Sequence, residues 1–315
     1  MQRQRARPIF VVGKQRSGTT GLANHLCEHP SIAGVQHEAH WGIHESGYYP
    51  YVVGRYGPLD RWPNFREFVA VMSTSDYFRL TGVGTEFMLS LYPTSYSDFF
   101  GAVMRKFARR RGAQYWVDKT PEHTKYALQL ARTYPAARFI GLVRPVEDVV
   151  ASSVANVEVS QNNGPNRARL RLLIRLVLGW AYYAKSIAEL KRQFPSRTLF
   201  VRYKDFQTRP SRLLQNICGH LHLEYDETME TVPYGRNTSF SGDSSRRQTL
   251  NDGEKVLISL LEGALETVPY TAFRSLDTVV KALRPTLDLP DWFFKLSERP
   301  SSCSETLRPL SSSEP

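Results

Sequence analysis

The chain has 315 residues, 41% of them hydrophobic, so it is long enough to bury a core of its own. No stretch approaches the roughly 20 apolar residues of a membrane span, and the start, MQRQRARPIFVVG, lacks a secretory signal, so we expect a cytoplasmic protein. The formal net charge of +11 favours anionic partners but does not distinguish nucleotides, nucleic acids and lipid headgroups.

Short β-type segments alternate with helical segments along much of the chain, which is typical of a mainly parallel sheet flanked by helices. The predicted strands are Pro8–Gly13, Gln114–Asp118, Arg138–Val143 and Thr198–Arg202. The predicted helices are Gly18–Glu28, Pro121–Tyr134, a helix that begins near Val146, Arg167–Gln193 and Pro210–Leu221. We therefore predict one α/β domain over residues 1–300.

Two segments depart from this alternation. Residues 301–315 are rich in Ser, Pro and Glu, and we expect this tail to be disordered. Residues 40–113 are rich in aromatic side chains, namely Trp41, Tyr48, Tyr49, Tyr51, Tyr56, Trp62, Tyr77, Phe78, Phe87, Tyr92 and Tyr96.

Gly13–Thr20 (GKQRSGTT) lies between the first predicted strand and the first predicted helix. In that context glycines leave room for a phosphate, and the N–H groups of the helix start point at it. The spacing G-x-x-x-x-G matches the ATP-binding P-loop, but Thr19 and Thr20 stand where that loop has Lys-Ser/Thr. A donor whose single 5′-phosphate bears sulfate needs neither that lysine nor magnesium. An ordinary strand-to-helix turn is the alternative.

Arg138–Ser153 (RFIGLVRPVEDVVASS) is a second candidate phosphate site. The strand delivers Arg144 to its carboxyl end, where α/β sheets bind ligands, and Ser152 lies two turns into the next helix. An arginine and a hydroxyl placed there could hold a second phosphate. A surface ion pair is the alternative for Arg144.

Five segments in order resemble those of the sulfotransferases, especially the branch of heparan-sulfate and tyrosyl-protein enzymes, over about residues 8–240. RSGTT is similar to the family's 5′-phosphosulfate loop and RFIGLVRPVEDVVASS to its 3′-phosphate segment. Val117–His123 (VDKTPEH) resembles the Lys-Thr-Pro segment, and Gln36–Trp41 (QHEAHW) the Lys-Glu-x-His-Phe segment. Tyr203-Lys204-Asp205-Phe206 resembles the Tyr-Glu-Asp-Leu-like turn after a strand.

The resemblance implies a P-loop-like core and transfer of a sulfuryl group from 3′-phosphoadenosine-5′-phosphosulfate to a hydroxyl or amine, with no metal. It implies that Glu38 is the general base and that Lys119 and Arg16 stabilise the transferring charge. Residues 40–113 would then form the acceptor region, for a carbohydrate, lipid or small molecule. The implied donor-binding residues are Arg16, Ser17, Gly18, Thr19, Thr20, Arg144 and Ser152.

The chain departs from the family pattern at two of these positions. Arg16 replaces the more usual lysine, and an arginine cannot donate a proton to the leaving group. His37 replaces the lysine before Glu38, so His37, His40 and His44 are rivals for the role of base.

Two weaker signals involve basic residues late in the chain. Gly235–Phe240 (GRNTSF), with Arg236, or the nearby Arg246 could close over the donor, and a polar surface loop is the equal alternative. The helix near Arg167–Lys185 carries arginines at i, i+4 spacing. It is either a core helix with one solvated basic face or a peripheral contact with an anionic membrane.

Two other functions remain open at this stage. A P-loop kinase or NTPase is disfavoured by the absence of Gly-Lys-Ser/Thr. A non-catalytic anion- or nucleic-acid-binding protein is suggested only by the net charge, and we expect no nucleic-acid partner because no recognition signature is present. Neither the acceptor nor the oligomeric state can be deduced from the sequence.

Overall fold

The computed structural model of the chain describes residues 6–158, 166–234, 249–282 and 288–296. The strands are β1 (Arg7–Gly13), β2 (Ile32–Gly34), β3 (Gln36–His37), β4 (Gly42–Ile43), β5 (Tyr115–Asp118), β6 (Arg138–Val143) and β7 (Thr198–Arg202). The helices are α1 (Thr19–Cys27), α2 (Trp62–Thr74), α3 (Asp76–Leu80), α4 (Thr85–Leu89), α5 (Tyr96–Arg110), α6 (Ala127–Thr133), α7 (Val146–Glu158), α8 (Asn166–Gln193), α9 (Tyr203–Thr208), α10 (Pro210–Leu221), α11 (Asp252–Glu266) and α12 (Tyr270–Ala282).

The central sheet has five strands in the order β2-β5-β1-β6-β7, and every neighbouring pair is parallel. From β1 the chain passes through α1 to the edge strand β2, whereas the later connection from β5 to β6 crosses to the other side of β1. The carboxyl end of β1 is therefore the switch point at which open α/β sheets bind ligands. The predicted α/β fold with a parallel sheet and flanking helices is confirmed.

β1 reads as an unbroken apolar run because helices cover both faces of the sheet. Ile9 and Val11 face a cluster that includes residues of α1 and α10. Phe10 and Val12 face a second cluster, which includes Ile187 of α8 and the aromatic residues of α2 to α5. The period of two along the strand thus divides its side chains between two cores.

The helices α2 to α5 form a layer over the second face of the sheet. α5 begins at the N-cap Ser95, whose hydroxyl accepts a hydrogen bond from the N–H of Asp98. Its buried residues Phe99, Val103 and Phe107 recur at i and i+4 and so share one face. Most of the aromatic residues in this region therefore pack in the core.

Several elements differ from the sequence predictions or were not predicted, among them β3, β4, α9, α11 and α12. β2 has only three residues, too few for a periodic pattern, and α2 to α5 were not predicted. The predicted helix Pro121–Tyr134 begins as a 3-10 helix, Pro121–Tyr126, and becomes α-helical in α6. The tail 301–315, Arg236 and Arg246 lie outside the described residues.

α8 packs one face into the core through buried residues such as Leu173, Val177 and Ile187. Within the described residues no single helix has the length and apolar composition to cross a membrane. One pair, Asp252–Glu266 with Tyr270–Val280, meets those criteria jointly but is bent by 105°.

Candidate active site

The loop between β1 and α1 has an unusual backbone at two positions. Arg16 has φ 71° and Gly18 has φ 89°, both in the left-handed region. At Gly18 a Cβ atom would lie 2.5 Å from the ring of Tyr203, so only glycine fits. A non-glycine residue such as Arg16 rarely adopts this conformation, and such outliers cluster at functional sites.

The start of α1 is suited to an anion. Gly18 is its N-cap, no side chain in the described part of the chain caps it, and its first turn contains no acidic residue. The dipole and the first N–H groups of the helix are therefore not neutralised by a local carboxylate. Gly18, Thr19 and Thr20 line a cavity of about 370 Å³, whereas Ser17 is buried beneath the loop.

Arg16, Arg144 and Ser152 come together beside this loop. The Nε of Arg16 donates to Oγ of Ser152 at 3.1 Å, and Nη1 of Arg144 donates to the carbonyl of Arg16 at 2.9 Å. The Arg144 guanidinium lies over the ring of Tyr203, 4.4 Å from its centroid. Nε of Arg144 is buried and makes no hydrogen bond to the residues that the structure describes, although it lies 3.7 Å from Oδ2 of Asp148 in an ion pair. The cluster thus retains a donor for a further acceptor.

Lys119 follows β5 and is 2% exposed. Its ammonium donates to Oε1 of Glu45 at 2.5 Å, and the Glu45 side chain is one-third exposed. A buried ammonium needs such a partner, because burial without one carries a large desolvation cost. Arg16, Lys119 and Glu45 all line the same cavity.

The outer wall of the cavity is apolar and basic. Trp41 is 58% exposed and lines it together with Ile43, Trp292 and Lys295. Lys295 donates to the carbonyl of Ala39, so the C-terminal segment is held against the segment around β3 and β4.

Behind Lys119 lies a buried network around Asp118. Ser46 and Thr120 donate to its carboxylate, at 2.5 and 3.0 Å. Burial raises the pKa of Asp118 to about 7. His123 accepts from the N–H of Tyr49, and burial lowers its pKa to about 3.

His40 and His44 form one side of the cavity, with Asp76 behind them. Their rings stack with centroids 3.6 Å apart. Burial lowers the pKa of both, that of His44 to about 3. Nε2 of His40 lies 3.5 Å from Oδ2 of the buried Asp76.

The sequence matches a known protein family over most of its length. The model described as "Sulfotransferase family" matches residues 8–227, well over half of the chain. The chain belongs to the sulfotransferase family. A comparison with curated proteins returned no match.

Solved structures of related fold include a sulfotransferase domain from the curacin biosynthetic pathway, at 17% identity and TM-score 0.49, covering 89% of this chain and 98% of that one. A sulfotransferase from Alicyclobacillus acidocaldarius is 21% identical with TM-score 0.45, covering 85% and 99%. Retinol dehydratase in complex with androsterone and the inactive cofactor PAP is 12% identical with TM-score 0.44, covering 84% and 83%.

Most predicted site residues of this sulfotransferase lie together. Residues 16 to 20, Lys119, Arg144 and Ser152 all surround the carboxyl ends of β1, β5 and β6. Glu38 is the exception, because it is exposed in a 3-10 helix and does not line the cavity. Arg144 and Ser152 do not line the cavity either, but both are hydrogen-bonded to Arg16, which does.

Glu45, Trp292 and Lys295 were not predicted from the sequence. Glu45 lies only seven residues after Glu38, and its signal in the sequence was a carboxylate two residues after the short strand β4. Trp292 and Lys295 had no local motif and reach the cavity through tertiary packing. Of the aromatic residues noted in 40–113, all of which are described, Trp41 alone lines the cavity.

Proposed function

We propose that this sulfotransferase moves a sulfuryl group from 3′-phosphoadenosine-5′-phosphosulfate to a hydroxyl or amine of an acceptor, as an enzyme of the EC 2.8.2 type. The observation that carries the proposal is one cavity lined by the uncapped start of α1, by the cations Arg16 and Lys119, and by the carboxylate of Glu45. An anion site, fixed positive charge and a proton acceptor are what an in-line displacement needs.

The residues fit the donor on two grounds. The left-handed backbone at Arg16 and Gly18, with the start of α1, forms a cradle for the 5′-phosphate. Ser152 and Arg144 would hold the 3′-phosphate, and the buried Nε of Arg144 makes no hydrogen bond to any described residue. The bound donor supplies the activated sulfuryl group, and Lys119 and Arg16 would stabilise charge on the oxygen that leaves.

Glu45 is favoured over Glu38 as the general base, although the role of Glu38 stays a prediction. Glu45 lines the cavity beside Lys119, whereas Glu38 is exposed outside it. His40 and His44 also line the cavity, but burial makes a protonated imidazole costly there. As the acceptor oxygen or nitrogen bonds to sulfur, its proton passes to the Glu45 carboxylate and the bridging S–O bond of the donor breaks.

The acceptor would bind against the outer wall. Trp41 and Trp292 offer flat apolar faces, and Lys295 offers a cation for an acidic group. Carbohydrates, phenols and lipophilic alcohols all fit this description, so an acceptor screen with the sulfate donor, scored by mass spectrometry, is the direct test of activity. ATP with magnesium serves as the kinase control and should give no transfer.

Donor recognition has its own test, which needs no acceptor. The desulfated product, 3′-phosphoadenosine-5′-phosphate, should raise Tm more than adenosine monophosphate does, because only the former has a 3′-phosphate. Ser152→Ala should weaken its binding by roughly 10-fold, the value of one hydrogen bond to a charged group. Ser153→Ala is the matched control, since that hydroxyl donates to the Val149 carbonyl within α7. Equal Tm shifts with both nucleotides in the native protein would refute the 3′-phosphate site.

A further inference from the structure

We propose that His40, His44 and Asp76 form a binding site for a divalent transition-metal cation of the zinc type. Two of its ligands, His40 and His44, line the cavity, but the sulfuryl transfer proposed above assigns no role to any of the three residues. The inference therefore goes beyond that function and does not rest on it.

The three side chains converge from separate elements. His40 ends the 3-10 helix Glu38–His40, His44 follows β4, and Asp76 begins α3. One nitrogen or oxygen of each lies within 4.8 Å of the other two. Two ligands of a tetrahedral zinc, with bonds of about 2.0–2.1 Å, lie roughly 3.4 Å apart. The 3.5 Å between Nε2 of His40 and Oδ2 of Asp76 already has that spacing.

The hydrogen bonds behind these residues are those of a metal ligand set. Nδ1 of His44 lies 2.8 Å from the carbonyl of Glu45, which can only accept, so Nδ1 carries the proton and Nε2 offers its lone pair. Metal-bound histidines typically donate their other ring N–H in this way. Asp76 is oriented by the backbone N–H of Leu296, which donates to Oδ2 at 2.8 Å.

The unsatisfied groups are the second argument. Nε2 of His40 and Nε2 of His44 are buried and make no hydrogen bond within the described residues, and His44 is 1% exposed. Buried polar atoms in native proteins almost always have a partner. Two imidazoles and a carboxylate form a ligand set that suits zinc and its neighbours in the first transition row.

Binding requires a small movement. The centroids of the stacked rings are 3.6 Å apart. A shared cation would draw both Nε2 atoms toward one point, so the rings must rotate out of their stacked arrangement. His40 is the more exposed of the two and is the ring we expect to turn. Three protein ligands leave a fourth position for water, on the side where both histidines line the cavity.

The test is zinc content and affinity, measured without donor or acceptor. Tag-free protein is stripped with a chelator, dialysed against Zn²⁺ and analysed by mass spectrometry for metal. We expect one Zn²⁺ per chain, and visible ligand-field bands when Co²⁺ replaces it. Loss of an orienting partner alone weakens such sites about 10- to 100-fold, so His44→Ala and Asp76→Asn should weaken binding by at least about 100-fold.

His222→Asn is the matched control, because it removes an exposed imidazole that contacts Arg138 at the opposite end of the sheet and should keep full zinc binding. His40→Ala, at the most exposed ligand, keeps the test decisive if the buried variants fail to fold. No retained zinc in the native protein, or unchanged affinity in a folded His40→Ala or His44→Ala variant, would overturn the proposal.

Discussion

At the scale of single residues, the ion pair between Glu45 and Lys119 is central to the proposed chemistry. Glu45→Gln preserves size but removes the proton acceptor, so kcat should fall by roughly 10²–10⁴-fold. Affinity for the desulfated product, measured by calorimetry, should change little. Glu38→Gln is the matched control, since Glu38 is exposed outside the cavity.

Which of Glu45→Gln and Glu38→Gln loses turnover depends on which glutamate is the general base. Near-native turnover in Glu45→Gln together with a large loss in Glu38→Gln would favour the assignment made from sequence. A Tm measurement on Glu45→Gln is needed as well, because Lys119 is buried and loses its partner.

The sequence could predict the donor side of the site better than the base. Residues 16 to 20, Arg144 and Ser152 lie within segments whose strand, loop and helix are all local, so the strand–loop–helix context and the family resemblance together could predict them. Glu38 lies in the connection between the paired strands β3 and β4, and Glu45 lies two residues after β4. Which of them turns toward Lys119 depends on that pairing, which two-residue strands do not reveal in sequence.

At the scale of elements, the aromatic region 40–113 contributes both to the wall of the cavity and to the hydrophobic core. Trp41 is mostly exposed and lines the cavity, so Trp41→Ala should raise the acceptor KM and leave donor affinity and Tm nearly unchanged. Tyr49 is 2% exposed and bonds Ser97, so Tyr49→Ala should lower stability by about 3–5 kcal/mol, as for other buried aromatic residues.

Kinetics and thermal melts of the two variants, side by side, check this division. A drop in Tm for Trp41→Ala as large as for Tyr49→Ala would assign Trp41 to the core. The sequence composition flagged both residues alike, because burial depends on how α2 to α5 stack on the sheet.

The basic face of α8 belongs to a groove of about 620 Å³ shared with α12. Arg171 and Arg175 line it together with the exposed Leu178 and Leu276. We propose that this groove contacts anionic membrane, because cations beside exposed apolar side chains suit a headgroup and acyl-chain boundary.

The proposed membrane contact can be tested by changing the charge of the groove. Arg171→Glu with Arg175→Glu should reduce sedimentation with phosphatidylserine vesicles severalfold, and salt should do the same in the native protein. Arg61, directly before α2, and Arg66, within α2, are the control positions. Replacing both with Glu makes the same charge change away from the groove. Equal loss in both double variants would show that only net charge matters.

At the scale of the whole molecule, Asp118 and His123 form a buried pair that affects stability against pH. Folded, Asp118 with a pKa of about 7 stays protonated at pH 5 and His123 with a pKa of about 3 stays neutral. Unfolded, aspartate titrates near pH 3.9 and histidine near 6.5, at about their reference values. In the folded and in the unfolded state alike, the pair holds one proton between about pH 4 and 6.5. The contributions of Asp118 and His123 to the pH dependence of stability therefore cancel in this range.

Single replacements should expose opposite slopes relative to the native protein. In Asp118→Asn only His123 remains, and its pKa is lower in the folded than in the unfolded state. The free energy of unfolding is therefore highest above about pH 6.5 and falls as the pH is lowered. In His123→Gln only Asp118 remains, with a raised pKa, so stability is highest below about pH 4 and falls as pH rises toward 7. Each slope is at most about 1.4 kcal/mol per pH unit. Urea denaturation at several pH values measures them, and slopes of the same sign would contradict the assignment.

The contact between Lys295 and Ala39 joins residues 256 positions apart and brings Trp292 onto the cavity. During synthesis on the ribosome, the donor loop after β1 emerges well before Trp292 and Lys295 of the outer wall. A nascent chain that has completed its sheet would therefore hold nucleotide in a cleft still open to bulk water. The outer wall against which the acceptor is proposed to bind would be complete only when Trp292 and Lys295 dock against the segment around Ala39.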